Sequence, residues 1–169
     1  MIKLERLKKE REVVGIYISA HPLDDYLREI KNFTSTGLSS LNDLNKIVNK
    51  DLYVGGIINE VEHLQTKTGN GFAVFSFEDF NDQYQFRIFG EDYLKYKHLL
   101  EENKILRLRI SIRDGWVNRE TGRVGDPRIQ FLNMELLDGI IDSSSKKITL
   151  KIDSSTLNLD EVKKLKKIF

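Results

Sequence analysis

Hydrophobic and polar positions alternate most regularly between residues 71 and 89. Apolar side chains stand at every second position up to Phe77, and the alternation resumes at Tyr84. Two adjacent runs of this kind predict two half-buried β-strands joined as a hairpin. Asn81 and Asp82 separate the runs. Because both residue types tolerate a left-handed backbone, we expect a tight turn there.

Three further strands are predicted from apolar alternation, over residues 51–66, 104–113 and 128–137. The first is long and contains Gly55 and Gly56, and glycine inside a strand predicts a bulge or sharp bend. Between the third and fourth strands, residues 91–102 predict a helix with acidic residues at its start, where they favour the helix dipole, and Asn103 ends it. Three strands, a helix and two more strands are the layout of the OB-fold, a five-stranded Greek-key barrel, so we assign a mainly β fold class.

The segments on either side of this barrel have a different character. Residues 1–50 predict a helical connector, whose second helix begins after His21-Pro22 because the residue before proline avoids the α region. The barrel domain then covers residues 51–139. Residues 140–169 contain a Ser-rich linker followed by one strand and one helix, which cannot bury a core alone. We expect them to open a truncated C-terminal domain.

The composition argues against several classes of chemistry. The chain has 40% hydrophobic and 31% charged residues, which is ordinary for a globular protein, and it contains no cysteine. Its three histidines are far apart, and it has no phosphate loop, dinucleotide-binding glycine turn or nucleophile elbow. We therefore expect no catalytic residue, metal site or cofactor. No apolar run approaches the roughly 20 residues that cross a membrane, and the charged N-terminal helix differs from a signal peptide, which favours a cytoplasmic protein.

Two polar residues that could suggest chemistry have simpler structural explanations. Asp79 follows Glu78 at the end of a predicted strand. Because adjacent strand residues point to opposite faces, these two carboxylates cannot easily share a metal ion. We expect Asp79 to cap the hairpin turn, and His21 to stabilise the turn before Pro22 through a hydrogen bond.

Positive charge is concentrated in one part of the chain. The net charge is +1, but residues 103–130 contain seven basic and three acidic residues, a net of 7 − 3 = +4. Six of the seven basic residues are arginine, the side chain better suited to phosphate contact and base stacking. Such a cluster is typical either of a solvated strand face or of a nucleic-acid contact.

An OB barrel meets single strands on the outer face of its second and third strands and on the loops that join strands one to two and four to five. Bases stack on aromatic side chains there, and cations contact the phosphates. We predict nucleic-acid contacts on this face, in these loops and along the fourth strand from Lys67, Thr68, Asn70, Ser76, Gln85, Arg87, Phe89, Arg107, Arg109, Arg113, Trp116, Arg119 and Arg123. With one outward aromatic residue and one loop tryptophan, binding is expected to be salt-sensitive and about micromolar.

Four segments resemble a known family. Residues 15–26 read GIYISAHPLDDY and resemble the G-x-Y-L-S-G-H-P-L-x-x-Y segment of the α subunit of bacterial DNA polymerase III, DnaE type. Residues 66–69, 73–79 and 89–93 resemble that family's T-K-x-G loop, its A-F-L-T-L-E-D strand and its F-x-x-x-Y step into a helix. The four matches follow the family's order over about the first 140 residues. The chain departs from the pattern at Ala20 and Phe77, and at the hairpin turn.

The resemblance implies a C-terminal fragment of a DNA-directed DNA polymerase that contains the OB domain and works in DNA replication. The catalytic aspartates of the family lie upstream of such a fragment, so its role would be single-stranded template binding without catalysis. The implied partners are single-stranded DNA and, through parts mostly outside this chain, the sliding clamp and the clamp-loader τ subunit.

Two alternatives remain open from the sequence. The barrel motifs also fit the anticodon-binding OB domains of class II tRNA synthetases, which bind RNA. The barrel could instead be a protein-interaction module whose basic face meets an acidic partner subunit of the replisome.

Overall fold

A computed structural model describes residues 2–15, 17–117 and 121–141 of the chain. Arg119, the predicted Ser-rich linker and the predicted C-terminal strand and helix lie outside the described residues. The helices are α1 (Ile2–Val14), α2 (Leu27–Phe33) and α3 (Gly90–Tyr96). The strands are β1 (Asp51–Gln65), β2 (Gly71–Glu78), β3 (Gln83–Phe89), β4 (Ile105–Arg113) and β5 (Arg128–Leu136).

The five strands form one antiparallel sheet in the order β3-β2-β1-β4-β5, with α3 between β3 and β4 in the chain. This arrangement confirms the predicted fold class, a mainly β OB-fold with a long first strand that pairs on both sides. The sheet curls so that its two edges approach each other, because the rings of Phe86 on β3 and Phe131 on β5 lie 5.7 Å apart. The edge strands are not hydrogen-bonded to each other in the described sheet, as in a partly open barrel.

Alternate side chains of the sheet fill the core. The rings of Phe75, Phe77, Phe86 and Phe131 contact one another there, as the period-2 pattern predicts. Tyr96, at the end of α3, belongs to the same cluster. So do two leucines of the segment before β1, Leu38 and Leu41. The connector therefore contributes to the barrel core, and the division at residue 50 stays a prediction.

The bulge in β1 lies after the two glycines and not at them. Gly55 and Gly56 pair regularly with β4, and the register shifts between Ile58 and Glu60. Of the bulge or sharp bend predicted at the glycines, the bulge is therefore wrong. Gly56 is needed for a close approach, since a Cβ atom there would lie 2.3 Å from the carbonyl oxygen of Glu78. This is the point where β1 exchanges partners, because the next residue pairs with both β2 and β4.

The β2–β3 hairpin closes through a four-residue loop, residues 79–82, and not through a two-residue turn. Neither Asn81 nor Asp82 has a positive φ, so the predicted left-handed turn is wrong. Instead, the Asp79 carboxylate stabilises the loop. Its Oδ1 accepts hydrogen bonds from the amides of Asn81 and Asp82, each at 2.8 Å. Oδ2 accepts a third hydrogen bond from the amide of Leu38 at 2.7 Å. The capping role of Asp79 is confirmed, and the same side chain also holds the connector against the hairpin.

His21 has the structural role that its position before proline predicts. Its Nδ1 accepts a hydrogen bond from the amide of Leu23 at 3.1 Å, and its own amide donates to Asp24 Oδ2 at 2.7 Å. The ring lies 4.8 Å from that of Phe80 in the hairpin loop. The His-Pro segment therefore forms a turn that rests on the tip of the β2–β3 hairpin.

Candidate nucleic-acid interface

The outer side of β2 and β3, here called the β2–β3 face, is built from rows of directly paired residues. The rows are Phe72 with Phe89, Val74 with Arg87, Ser76 with Gln85 and Glu78 with Gln83. Their side chains share one face because paired residues of an antiparallel sheet point the same way. The core-facing residues Ala73, Phe75, Phe86 and Ile88 alternate with them.

Three of the predicted contact residues are exposed together on β3. Gln85, Arg87 and Phe89 point outward, and among the described residues none of them forms an ion pair. Phe89 is 52% exposed and stacks on Phe72, with ring centroids 5.0 Å apart and planes 15° apart. The face therefore presents a supported aromatic ring next to a guanidinium group.

Ser76 lies on this face but is not accessible. It is buried, and its Oγ accepts a hydrogen bond from the side-chain amide of Gln83. We therefore leave Ser76 out of the interface. The alternation of the strand predicts the direction of its side chain correctly, but the covering glutamine comes from the next strand.

The β1–β2 loop, residues 66–70, meets the end of β3 around a cleft of about 410 Å³. The cleft is lined by Thr66, Gly69, Asn70, Gly71, Phe89, Gly90 and Leu94. The hydroxyl of Thr66 is 2.9 Å from that of Thr68 and accepts from the amide of Asn70 at 3.1 Å, which orders the loop. Lys67 and Thr68 are exposed in the same loop. Of the three predicted loop residues, Asn70 therefore lines a cleft with Phe89, whereas Lys67 and Thr68 are exposed in the same loop without lining it.

Leu94 is a lining residue that the sequence pattern did not assign. It lies on α3 and is 64% exposed. In the sequence it stands beside the apolar face of the predicted helix. The pattern there does not indicate whether Leu94 is buried or exposed. Its place in the cleft depends on how α3 follows β3.

Arg107 on β4 is held by other parts of the protein. Its side chain is 13% exposed, and its Nε donates to Glu135 Oε1 at 3.0 Å. Its guanidinium lies 5.1 Å from the ring of Tyr53, and Nη1 donates to the carbonyl oxygen of Phe33 at 3.4 Å. Arg107 is therefore a structural residue, and we remove it from the interface.

Arg109 is half exposed and pairs with Asp51, with Nη2 2.9 Å from Oδ2. The Ser111 hydroxyl and the Arg109 guanidinium beside Asp51 hold the pKa of that carboxyl below its usual range. The ion pair therefore stays charged at neutral pH, and it neutralises part of the positive charge on β4.

A second exposed group, here called the arginine surface, consists of Arg113, Trp116 and Arg128. The two arginines stand directly opposite each other on β4 and β5. Like charges in this position repel, and among the described residues neither has a carboxylate partner. Arg113 Nε donates to Gln130 Oε1 at 3.2 Å. The surface therefore carries two positive charges that, among the described residues, have no carboxylate in ion-pair contact.

Trp116 adds an aromatic ring to the arginine surface. It is 75% exposed, and the Arg128 guanidinium lies 4.1 Å from its ring centroid. The β4–β5 loop is shaped as a short hairpin, in which the amide of Gly125 donates to the Trp116 carbonyl at 3.0 Å. Arg123 is exposed in the same loop. Arg128 was absent from the predicted contacts, although it belongs to the basic cluster of residues 103–130.

Comparison with known proteins identifies relatives of this chain. No protein-family model matches it. The DNA polymerase III subunit alpha of Borreliella burgdorferi is 36% identical over 103 residues, which are 60% of this chain and 9% of the relative. The protein of the same name from Aquifex aeolicus is 35% identical over 104 residues, which are 62% of this chain and 9% of the relative. The Bacillus subtilis protein is 25% identical over 167 residues, which are 98% of this chain and 14% of the relative.

The chain is similar to part of the bacterial DNA polymerase III α subunit. The resemblance predicted from its motifs is thereby confirmed. The chain spans only 9–14% of the length of these three α subunits.

Among solved structures, the chain is similar in fold to a putative aspartyl-tRNA synthetase from Leishmania major Friedlin. The match includes 72% of this chain and 26% of the synthetase chain, with 9% sequence identity and a TM-score of 0.40.

The described residues contain neither a membrane-spanning helix nor a cluster of metal ligands. None of the helices there is both long and apolar enough to cross a membrane. No group of three or more acidic or histidine side chains within that part of the chain could hold a metal ion.

Proposed function

We propose that this chain binds single-stranded DNA, as the template strand, without catalysis, and that it does so as the OB domain of a DNA polymerase III α subunit. The observation that carries the proposal is the exposed Phe89 ring, supported by Phe72 and placed next to Arg87 at the rim of the β1–β2 loop cleft. A ring of this kind can stack on a base while the neighbouring cation contacts a phosphate. Similarity to the α subunits favours a DNA strand as the ligand.

The arginine surface supplies a second contact in this proposal. Trp116 and Arg128 already form a stacked pair, so a base can extend an existing stack without reordering the guanidinium. Arg113 has no carboxylate to release before it binds a phosphate. Polymerisation, and contacts with the sliding clamp and the clamp-loader τ subunit, would belong mostly to other parts of the polymerase.

A protein-interaction barrel is the second candidate, because the arginine surface would also suit an acidic partner. Fluorescence anisotropy of labelled oligo(dT), titrated with the 169-residue protein at several salt concentrations, separates the two. We expect a Kd of about 1–100 μM that rises with salt. No binding at about 20 mM salt would overturn the DNA proposal. A matching RNA oligonucleotide tests the RNA alternative, which requires tighter RNA binding.

Replacing Phe89 with alanine should weaken oligo(dT) binding about tenfold, because one stacked base contributes roughly 1–3 kcal/mol. Phe89 is half exposed, so the fold should be retained, which circular dichroism can verify. Phe89→Tyr keeps the aromatic face and serves as the matched control, with binding close to that of the unaltered protein. Equal Kd values for the alanine and tyrosine variants would remove Phe89 from the site.

Replacing Arg87 with glutamine should reduce the salt dependence of binding. Loss of one phosphate contact makes the slope of log K against log salt shallower by about 0.7 for a single strand. The control is Arg28→Gln, an equal charge change on α2, whose slope should match that of the unaltered protein. If Arg87→Gln also leaves the slope unchanged, the phosphates do not pass along β3.

A further inference from the structure

Two carboxylates on β1 border the β2–β3 face. They lie across β2 from Arg87, which is on β3. Glu60 pairs with Ser76 and Glu62 pairs with Val74 across the β1–β2 ladder. Both glutamates are exposed, whereas Val61 between them packs against the core. Among the described residues, neither has a hydrogen-bonded or ionic side-chain partner. Their negative charges therefore project from β1 onto the same outer surface as the proposed DNA site.

The register gives this surface a charge gradient across three strands. One row runs from Glu62 through Val74 to Arg87, and the next runs from Glu60 through Ser76 to Gln85. Neighbouring strands are about 4.8 Å apart, so the β1 and β3 backbones are separated by about 10 Å. A single strand that follows β3 places its phosphates near Arg87 and away from the glutamates.

A duplex cannot use the face in the same way. Its two phosphate chains are separated by grooves about 6 Å and 12 Å wide. When one chain follows β3, the other lies over or beyond β1, where it meets the two carboxylates. The repulsion acts over about 8 Å at physiological ionic strength and weakens at high salt.

We infer that Glu60 and Glu62 form an acidic border that restricts the β2–β3 face to one strand, and that they determine its preference for single-stranded over double-stranded DNA. This inference rests on the proposed function, and it assigns the two glutamates a role in specificity rather than in affinity for the single strand.

The test compares the Glu60→Gln/Glu62→Gln variant with the unaltered 169-residue protein by anisotropy, using a labelled single strand and a duplex of the same length. Duplex binding should strengthen about tenfold, and single-strand binding should change less than about threefold, because only the second chain lies over β1. The gain should disappear at about 0.5 M salt. The control variant Glu12→Gln/Asp138→Asn changes the net charge equally at two exposed sites outside β1, β2 and β3, one on α1 and one after β5, and should leave the ratio of the two affinities unchanged.

Each of the following outcomes would overturn the inference. If both affinities rise equally, the glutamates repel DNA in general and do not discriminate. An unchanged duplex affinity would show that the second chain does not reach β1. Lack of single-strand binding by the unaltered protein would overturn the proposed function itself, and the inference with it. Single-strand binding with an unchanged ratio would overturn the inference alone.

Discussion

Replacing Asp79 with alanine is expected to lower the free energy of unfolding by about 3 kcal/mol. The carboxylate is buried and accepts three backbone hydrogen bonds, from Leu38, Asn81 and Asp82. Hydrogen bonds to charged groups contribute about 1.5–3 kcal/mol each, and a buried amide left without an acceptor costs about 1–3 kcal/mol. The amides of the hairpin loop can bind water after the change, whereas that of Leu38 is enclosed by the core. Urea denaturation of the 169-residue protein measures the loss.

The matched control for Asp79 is the exposed neighbour in the same loop, Asn81→Ala, which should change stability by less than about 0.5 kcal/mol. Asp79→Asn should fall between the two, because it keeps one acceptor oxygen. If Asp79→Ala were no more destabilising than Asn81→Ala, the carboxylate would not be what holds the connector to the hairpin.

Replacing Arg107 with alanine is expected to destabilise the protein by about 2–3 kcal/mol. Removing one partner of a buried ion pair costs about 3–5 kcal/mol, and the value is reduced here because the Glu135 side chain is 28% exposed. The change also removes the guanidinium from the rings of Tyr53 and Phe33. Thermal or urea unfolding measures the effect.

Arg109→Ala is the control for Arg107, since it breaks an ion pair on the same strand whose members are both about two-fifths exposed. Exposed pairs contribute at most about 1 kcal/mol. Oligo(dT) affinity of the Arg107 variant should fall only in proportion to its unfolded fraction. A specific loss of binding by a fully folded Arg107 variant would return this residue to the interface.

The alternation of the sequence determined which side chains of each strand point outward. Arg87 and Phe89 lie on the outer face because a strand repeats every two residues, which is a property of the local backbone. The same alternation located the five strands along the chain. Their order, with a single helix between the third and the fourth, was enough to predict the OB-fold. The sequence also assigned Lys67, Thr68 and Asn70 to the loop between β1 and β2, where the structure has them.

Only the tertiary structure decided what covers each outward side chain. Arg107 and Arg109 occupy equivalent positions in the alternating pattern of β4, yet one is buried against Phe33 and Glu135 and the other reaches solvent. The carbonyl that binds Arg107 lies 74 positions away along the chain. Likewise, Glu60 and Glu62 share an outer surface with Arg87 only because two ladders set the register across three strands. The direction of a side chain is a local property of the backbone, whereas its neighbours depend on pairing and on distant segments that no local pattern describes.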